Sequence, residues 1–212
     1  MNQISCLLST AYWPPIEYLA ACIQFSKINI EYWETYPKQT YRNRCQIYGP
    51  NGIQLLIVPV EKGSFHKVLI NDLKITYDTH WQKNHLKSME AAYRSSPFYE
   101  YYIDDILPIY KKRHTYLLDL NHDILTLTFN WLKINVRVDK TILYEPAGNF
   151  MDFRNEIHPK LKAPAINNQV QQPSYVQGFE QRHGFIPNLS IIDLVFNVGP
   201  ESLSFVEKGL LP

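Results

Sequence analysis

The sequence predicts an α+β fold, a mixed, largely antiparallel sheet packed against several helices, with a helical C-terminal half. Three observations predict it. Asn51-Gly52 stands between two apolar runs and supplies positive φ cheaply, which is the strongest local hairpin signal in the chain. Helical periodicity dominates from Thr79 to Lys133. Strands and helices are otherwise too unevenly mixed for a regular strand–helix–strand alternation. With 212 residues and 45% hydrophobic content, the chain can bury a sizeable core as a single domain spanning 1–212.

Taken in order, Ile4 to Ser9 reads as a short buried strand. Pro15 then starts a helix in which Ile16, Leu19, Ala20 and Ile23 recur at helical spacing. Ile28 to Tyr32 is a second strand. Arg44 to Tyr48 and Gln54 to Val60 form the hairpin, and Val68 to Tyr77 alternates as further strand. Thr79-x-x-Gln82 reads as a capping box opening a helix. Ser96-Pro97 opens the next, with Phe98, Tyr102, Ile106 and Ile109 on one face and a kink or break at Pro108. His114 to Lys133 is a third helix, and Asn135 to Tyr144 holds a strand or two. Glu145 to Pro173 is a long irregular loop, of a length that is often functional. Asn188 to Asn197 is a helix stopped by Gly199, and Pro200 begins the last one.

Composition excludes several classes. The 21 basic and 20 acidic residues leave a net charge of +1, without the basic excess that duplex binding needs, so no nucleic-acid partner is expected. No apolar run approaches the ~20 residues of a spanning helix, so no membrane span is expected. Met1 to Leu8 lacks the features of a signal peptide, and Cys6, Cys22 and Cys45 are odd in number and widely spaced. They read as reduced thiols of a cytoplasmic protein. The seven histidines show no ligand spacing, so no metal is expected, and the oligomeric state is left open.

Three constellations carry possible chemistry. Lys38-x-x-x-Arg42-Asn43-Arg44 places three cations within seven residues. It suits either a phosphate or carboxylate clamp or a solvated strand edge. Trp81, His85 and Met89 share one helix face. That makes His85 either a core histidine or a general base, because its ordinary pKa lies near 6.5. Ser190, Asp193 and Asn197 form a polar stripe on an apolar helix, readable as local capping or as a buried network. Cys45, beside Arg44, is the thiol whose pKa a neighbouring cation could lower. Phosphate-loop, dinucleotide and Gly-x-Ser-x-Gly patterns are missing.

These segments resemble the WbqC-like protein family. The resemblance rests on Tyr12-Trp13-Pro14-Pro15-x-x-Tyr18, Tyr36-x-Lys38, Arg42-Asn43-Arg44, Asn51-Gly52 with Val58-Pro59-Val60, and Trp81-x-x-x-His85 then Tyr93. The closing block Leu189-Ser190-Ile191-Ile192-Asp193-Leu194-x-Phe196-Asn197-x-Gly199 completes it, so that the matches span nearly the whole chain. Two departures stand out: the family's Gln-Pro after the first strand is Ser9-Thr10 here, and its acidic residue near the second strand has Glu34 as nearest match. The resemblance implies acyl or aminoacyl transfer, glycine among the candidates, onto an amino-sugar intermediate of surface-polysaccharide or O-antigen synthesis. The ligand expected is a small-molecule nucleotide-sugar or glycan intermediate, with no cofactor specified. Lys38, Arg42, Asn43 and Arg44 would hold its anionic group, and His85, oriented by Asp193, would take the proton. Gln177 and Asn197 would bond the acceptor, and Trp81 and Tyr175 would stack on the sugar. The alternative is a non-catalytic protein that binds or scaffolds the same intermediates.

Overall fold

Two apolar runs, Cys6-Leu7-Leu8 and Ile28-Asn29-Ile30, lie side by side and in the same direction at the centre of the molecule. The computed structural model describes residues 5–61, 68–146, 148, 150–160 and 173–208. The chain runs β1 (Cys6–Ser9), α1 (Ile16–Ile23), β2 (Lys27–Glu31), β3 (Arg44–Gly49), β4 (Gly52–Ile57), α2 (Trp81–Tyr93), α3 (Tyr99–Lys111) and α4 (Leu117–Leu132). It continues through β5 (Arg137–Lys140), β6 (Met151–Asp152), α5 (Glu180–His183), α6 (Ile191–Val198) and α7 (Ser202–Lys208).

The four-stranded sheet has the order β5-β2-β1-β6, and every neighbouring pair in it is parallel. This corrects the expectation of a largely antiparallel sheet; the α+β class stands. The physical reason is in the strands themselves. β1 has no polar face: Cys6, Leu7 and Leu8 are wholly buried, as in a parallel strand covered on both sides. β1, α1 and β2 form the crossover that parallel pairing requires. Antiparallel pairing is confined to the β3–β4 hairpin, whose turn Gly49-Pro50-Asn51-Gly52 places Gly52 at φ 95°.

Other expectations divide. The hairpin, the first two strands and the amphipathic face of α2 lie where the sequence puts them. Val68 to Tyr77 forms a short 3-10 turn and isolated bridges instead of a strand. Its alternation serves to bury Leu73 and Ile75 singly. The capping box at Thr79 is not made: Gln82 turns away and donates to the Tyr110 and Lys112 carbonyls (2.6 and 3.3 Å), closing the end of α3. α3 continues through Pro108, since the bond proline forfeits there belongs to the carbonyl of exposed Asp104. The expected loop after Glu145 contains β6, and its positions 161–172 fall outside the described residues.

α1 and α6 hold each other's first turns. Pro15, at the N-cap of α1, has no side chain that can cap it, so Ile16 N–H donates to the Leu189 carbonyl (3.2 Å) and Glu17 N–H to Asn188 Oδ1 (3.0 Å). In return Ile191 N–H reaches the Pro14 carbonyl (2.9 Å). Ser190 caps α6 while donating to the Trp13 carbonyl (3.0 Å). The C-terminal block is thereby tied to the first crossover. No helix among the described residues is long and apolar enough to cross a membrane.

Candidate functional site

Polar residues gather at the carboxyl ends of the parallel strands, where open α/β sheets commonly place their ligands. Here the gathering is sealed. Glu31, wholly buried at the end of β2, accepts four bonds: from Thr141 Oγ1 (2.8 Å), Trp33 N–H (2.9 Å), Glu145 N–H (3.0 Å) and Arg154 Nη1 (2.9 Å). Arg154 also clasps Asp152 through Nε and Nη2. Arg42 is 2% exposed and bidentate on Glu34 at 2.7 and 2.6 Å. Its third bond is to the Arg154 carbonyl at 3.4 Å. Asn121 completes the cluster, donating to Thr10 Oγ1 (3.0 Å) and the Arg42 carbonyl (2.8 Å). Arg42, expected on the ligand, is therefore a partner of Glu34.

The next residue lies differently. Lys38, Asn43 and Arg44 line an open cleft of about 1080 Å³ together with Val60, Tyr77 and Arg113. Arg44 Nε is buried without a protein partner, and so is Asn43 Oδ1, whereas Asn43 Nδ2 donates to the Val58 carbonyl (2.9 Å). Arg113 lies 4.4 Å over the Tyr77 ring and holds it against the wall. Three cations, Lys38, Arg44 and Arg113, line the cleft against two carboxylates, Glu61 and Asp78. His158 senses the same field: burial and then Lys160, Arg42 and Arg44 lower its pKa. Of the ten site residues read from the sequence, Lys38, Asn43 and Arg44 share this hollow.

His85 occupies a different environment. It is 5% exposed, and its Nδ1 shares a hydrogen bond with the Tyr12 hydroxyl at 2.8 Å, with the Ile57 backbone beside the ring. Tyr110 in turn bonds Tyr12 and accepts from Trp13 Nε1 (3.0 Å), so Trp13, Tyr110, Tyr12 and His85 form one hydrogen-bonded chain. Burial lowers the His85 pKa to about 4, partly offset by the Ile57 bond. Trp81 is buried behind the cleft, its ring centroid 5.9 Å from that of Tyr77, with Nε1 unpartnered.

Asp193 anchors a third network. Its carboxylate accepts from Tyr93 (2.9 Å), Tyr175 (2.6 Å) and Gln177 Nε2 (2.9 Å). Asn197 Nδ2 donates to the Asp193 backbone carbonyl (2.7 Å), and Ser96 donates to Asn197 Oδ1 (3.0 Å). Burial raises the Asp193 pKa, with the three donors opposing it. Tyr93, its partner on α2, lies eight residues beyond His85, about 12 Å along the helix axis. His85 is thus oriented by Tyr12 and Ile57, and Asp193 holds the 175–177 segment against α2 and α6. Cys45 is buried, which pushes its thiol up despite Arg44 next to it.

Sequence reasoning missed Tyr77, Arg113, Glu61 and Asp78. The run Lys111-Lys112-Arg113 was the available signal for one of them. The others come from connections between elements, whose placement no local pattern records.

The fold and cleft define an α+β protein with a parallel sheet and a cation-rich, aromatic-walled hollow. The chain belongs to the WbqC-like protein family, whose model matches residues 10–168 and 157–205. It is also similar to the uncharacterized protein Rv1507c of Mycobacterium tuberculosis, 28% identical over 194 residues, covering 81% of this chain and 83% of that one. No solved structure matches.

Proposed function

We propose that this chain recognises an anionic sugar intermediate of surface-polysaccharide synthesis, of the nucleotide-sugar or sugar-phosphate class, in the Lys38–Arg44–Arg113 cleft. The observation that carries the reading is the unpartnered Arg44 Nε in a wall shared with Lys38 and Asn43. A buried donor without a partner costs roughly 1–3 kcal/mol, which is recovered when the Arg44 side chain turns its guanidinium onto an anion in the cleft. Tyr77, with Arg113 over one face of its ring, adds an aromatic wall beside the cations. The family resemblance supplies the sugar, and the cleft supplies the affinity for an anion.

Group transfer onto that intermediate is the second reading, and Glu61 and Asp78 favour it. They are carboxylates in the cleft wall able to take a proton from an attacking amine or hydroxyl. His85, buried and bonded to Tyr12, serves this reading only if Tyr12 gives way. Titration calorimetry with a UDP-sugar, a sugar 1-phosphate and pyrophosphate tests recognition. Binding by wild type and loss by Arg44→Gln are expected; no binding by any of the three would sink the proposal. Incubation of the bound intermediate with acyl and aminoacyl donors then separates the readings. Product lost in Asp78→Asn or Glu61→Gln supports transfer, and binding without product supports recognition alone.

A further inference from the structure

The chain treats its sheet edges unequally. β5, one edge of the parallel sheet, reads Arg137-Val138-Asp139-Lys140, with Asp139 paired to Lys27 and Arg137 at 2.8 Å each. β6, the other edge, is two residues long. Charge and shortness are the ordinary means of stopping a strand edge from pairing with another chain. β4 has neither. Its six residues, Gly52 to Ile57, carry no charge and no proline, and Ile53, Leu55 and Ile57 are 53%, 45% and 41% exposed.

Hydrogen-bond parity shows which backbone groups that edge offers. Val58 N–H donates to the Asn43 carbonyl (2.8 Å), so the bonded pairs fall on Cys45–Leu56, Ile47–Gln54 and Gly49–Gly52. The intervening residues Ile53, Leu55 and Ile57 turn their N–H and C=O away from β3. Ile57 lies beside the buried His85 ring. Ile53 and Leu55 are left with both groups unbonded by any described residue, and their side chains are among the exposed aliphatics.

We infer that β4 is a dimerisation edge, pairing antiparallel with β4 of a second copy across a two-fold axis beside Gln54. In that register Ile53 of each copy exchanges both backbone bonds with Leu55 of the other. An isologous contact sets a strand against itself, so a charge near the axis would meet its like. The neutrality of all six positions suits this partner; the two edges of the parallel sheet lack it, and the outer edge of β3 is taken by Ser190 N–H and the Tyr93 hydroxyl. The two hairpins become one four-stranded antiparallel sheet with an aliphatic stripe across it. Arg44, opposite Ile57 in the ladder, carries this surface to the cleft.

Sedimentation equilibrium with amide hydrogen exchange tests the inference. Wild type is expected at twice 24.9 kDa, dissociating on dilution, with the Ile53 and Leu55 amides losing protection as it dissociates. Leu55→Lys, a charge at an exposed position, is expected at the single-chain mass with an unchanged far-ultraviolet spectrum. A wild type that stays at one chain mass over the accessible concentrations overturns the inference and leaves the edge to an extended segment of another protein. A dimer in which the Ile53 and Leu55 amides exchange freely overturns it as well. The exchange measurement uses wild type alone, so it decides the matter even if Leu55→Lys fails to fold.

Discussion

Arg42 and Arg44 are two residues apart in a single basic run, yet they belong to different regions of the molecule. Arg42 lies in the sealed polar cluster at the end of the parallel sheet, spent on Glu34 and the Arg154 carbonyl. Arg44 lies in an open cleft with a donor that nothing in the protein uses. The sealed cluster holds strands and loops together, and the cleft is lined by more cations than carboxylates. The difference is one of unsatisfied capacity, since both arginines carry the same charge. A group already satisfied by the protein is structural, and a group left short is where a ligand has something to gain.

The sharpest way to break this contrast is to remove Glu34. Glu34→Ala leaves Arg42 buried with its main counter-charge gone, at a cost of about 3–5 kcal/mol for an interrupted buried pair. Urea denaturation should show a loss of that size, or no folded protein at all. A loss under about 1 kcal/mol would mean that the sealed cluster is less sealed than its geometry.

The second test concerns the other closed group, His85. Its folded pKa of about 4 lies below the ordinary 6.5, so the unfolded chain binds the proton more readily. His85 therefore contributes stability that is complete above pH 6.5 and is lost as pH falls towards 4. At roughly 1.4 kcal/mol per pKa unit this amounts to about 3 kcal/mol. Asp193 works in the opposite sense: its raised carboxyl pKa weighs against the fold above the ordinary carboxyl range, and the penalty is relieved as pH falls. The measurement is thus a difference between wild type and His85→Gln, which keeps a donor and an acceptor in place. Stability curves that stay parallel between pH 4 and 6.5 would mean His85 titrates normally and is open to solvent.

The sequence makes legible what is local. Asn51-Gly52, the α2 face through Trp81, His85 and Met89, and Ser190 as a cap are all settled within a few residues, and the structure has them as read. The parallel pairing of β1 with β2 and β6 joins segments from opposite parts of the chain, and the conspicuous hairpin drew the sheet towards antiparallel. Asp193 fits a capping pattern as well as a buried network, and only the arrival of Tyr93 and Tyr175 decides between them. The cleft was half legible. The basic run named Lys38, Asn43 and Arg44, but Tyr77 and Arg113 reach it from connections whose course depends on the packing of α2 against α3.

The open region should respond the other way round from Glu34. Arg44→Gln removes a cation together with its unpartnered Nε–H, so stability should hold or rise, by up to roughly 1–3 kcal/mol. Affinity for a sugar 1-phosphate should fall about ten- to a hundred-fold, the range for one lost charge-assisted bond. A variant that loses stability but keeps affinity would exchange the roles of the two arginines.

The smallest effect is expected at Arg113. It meets the Tyr77 face at 4.4 Å and has no carboxylate in an ion pair among the described residues. Removing it costs one cation–π contact and some of the cleft's positive potential. Arg113→Gln should weaken binding of a UDP-sugar about two- to five-fold, the scale of one exposed cation–π contact. It should weaken pyrophosphate less, because pyrophosphate has no ring to lay on Tyr77. Equal weakening of both would reduce Arg113 to a source of charge, and the aromatic wall would then lose its part in recognising the sugar or base.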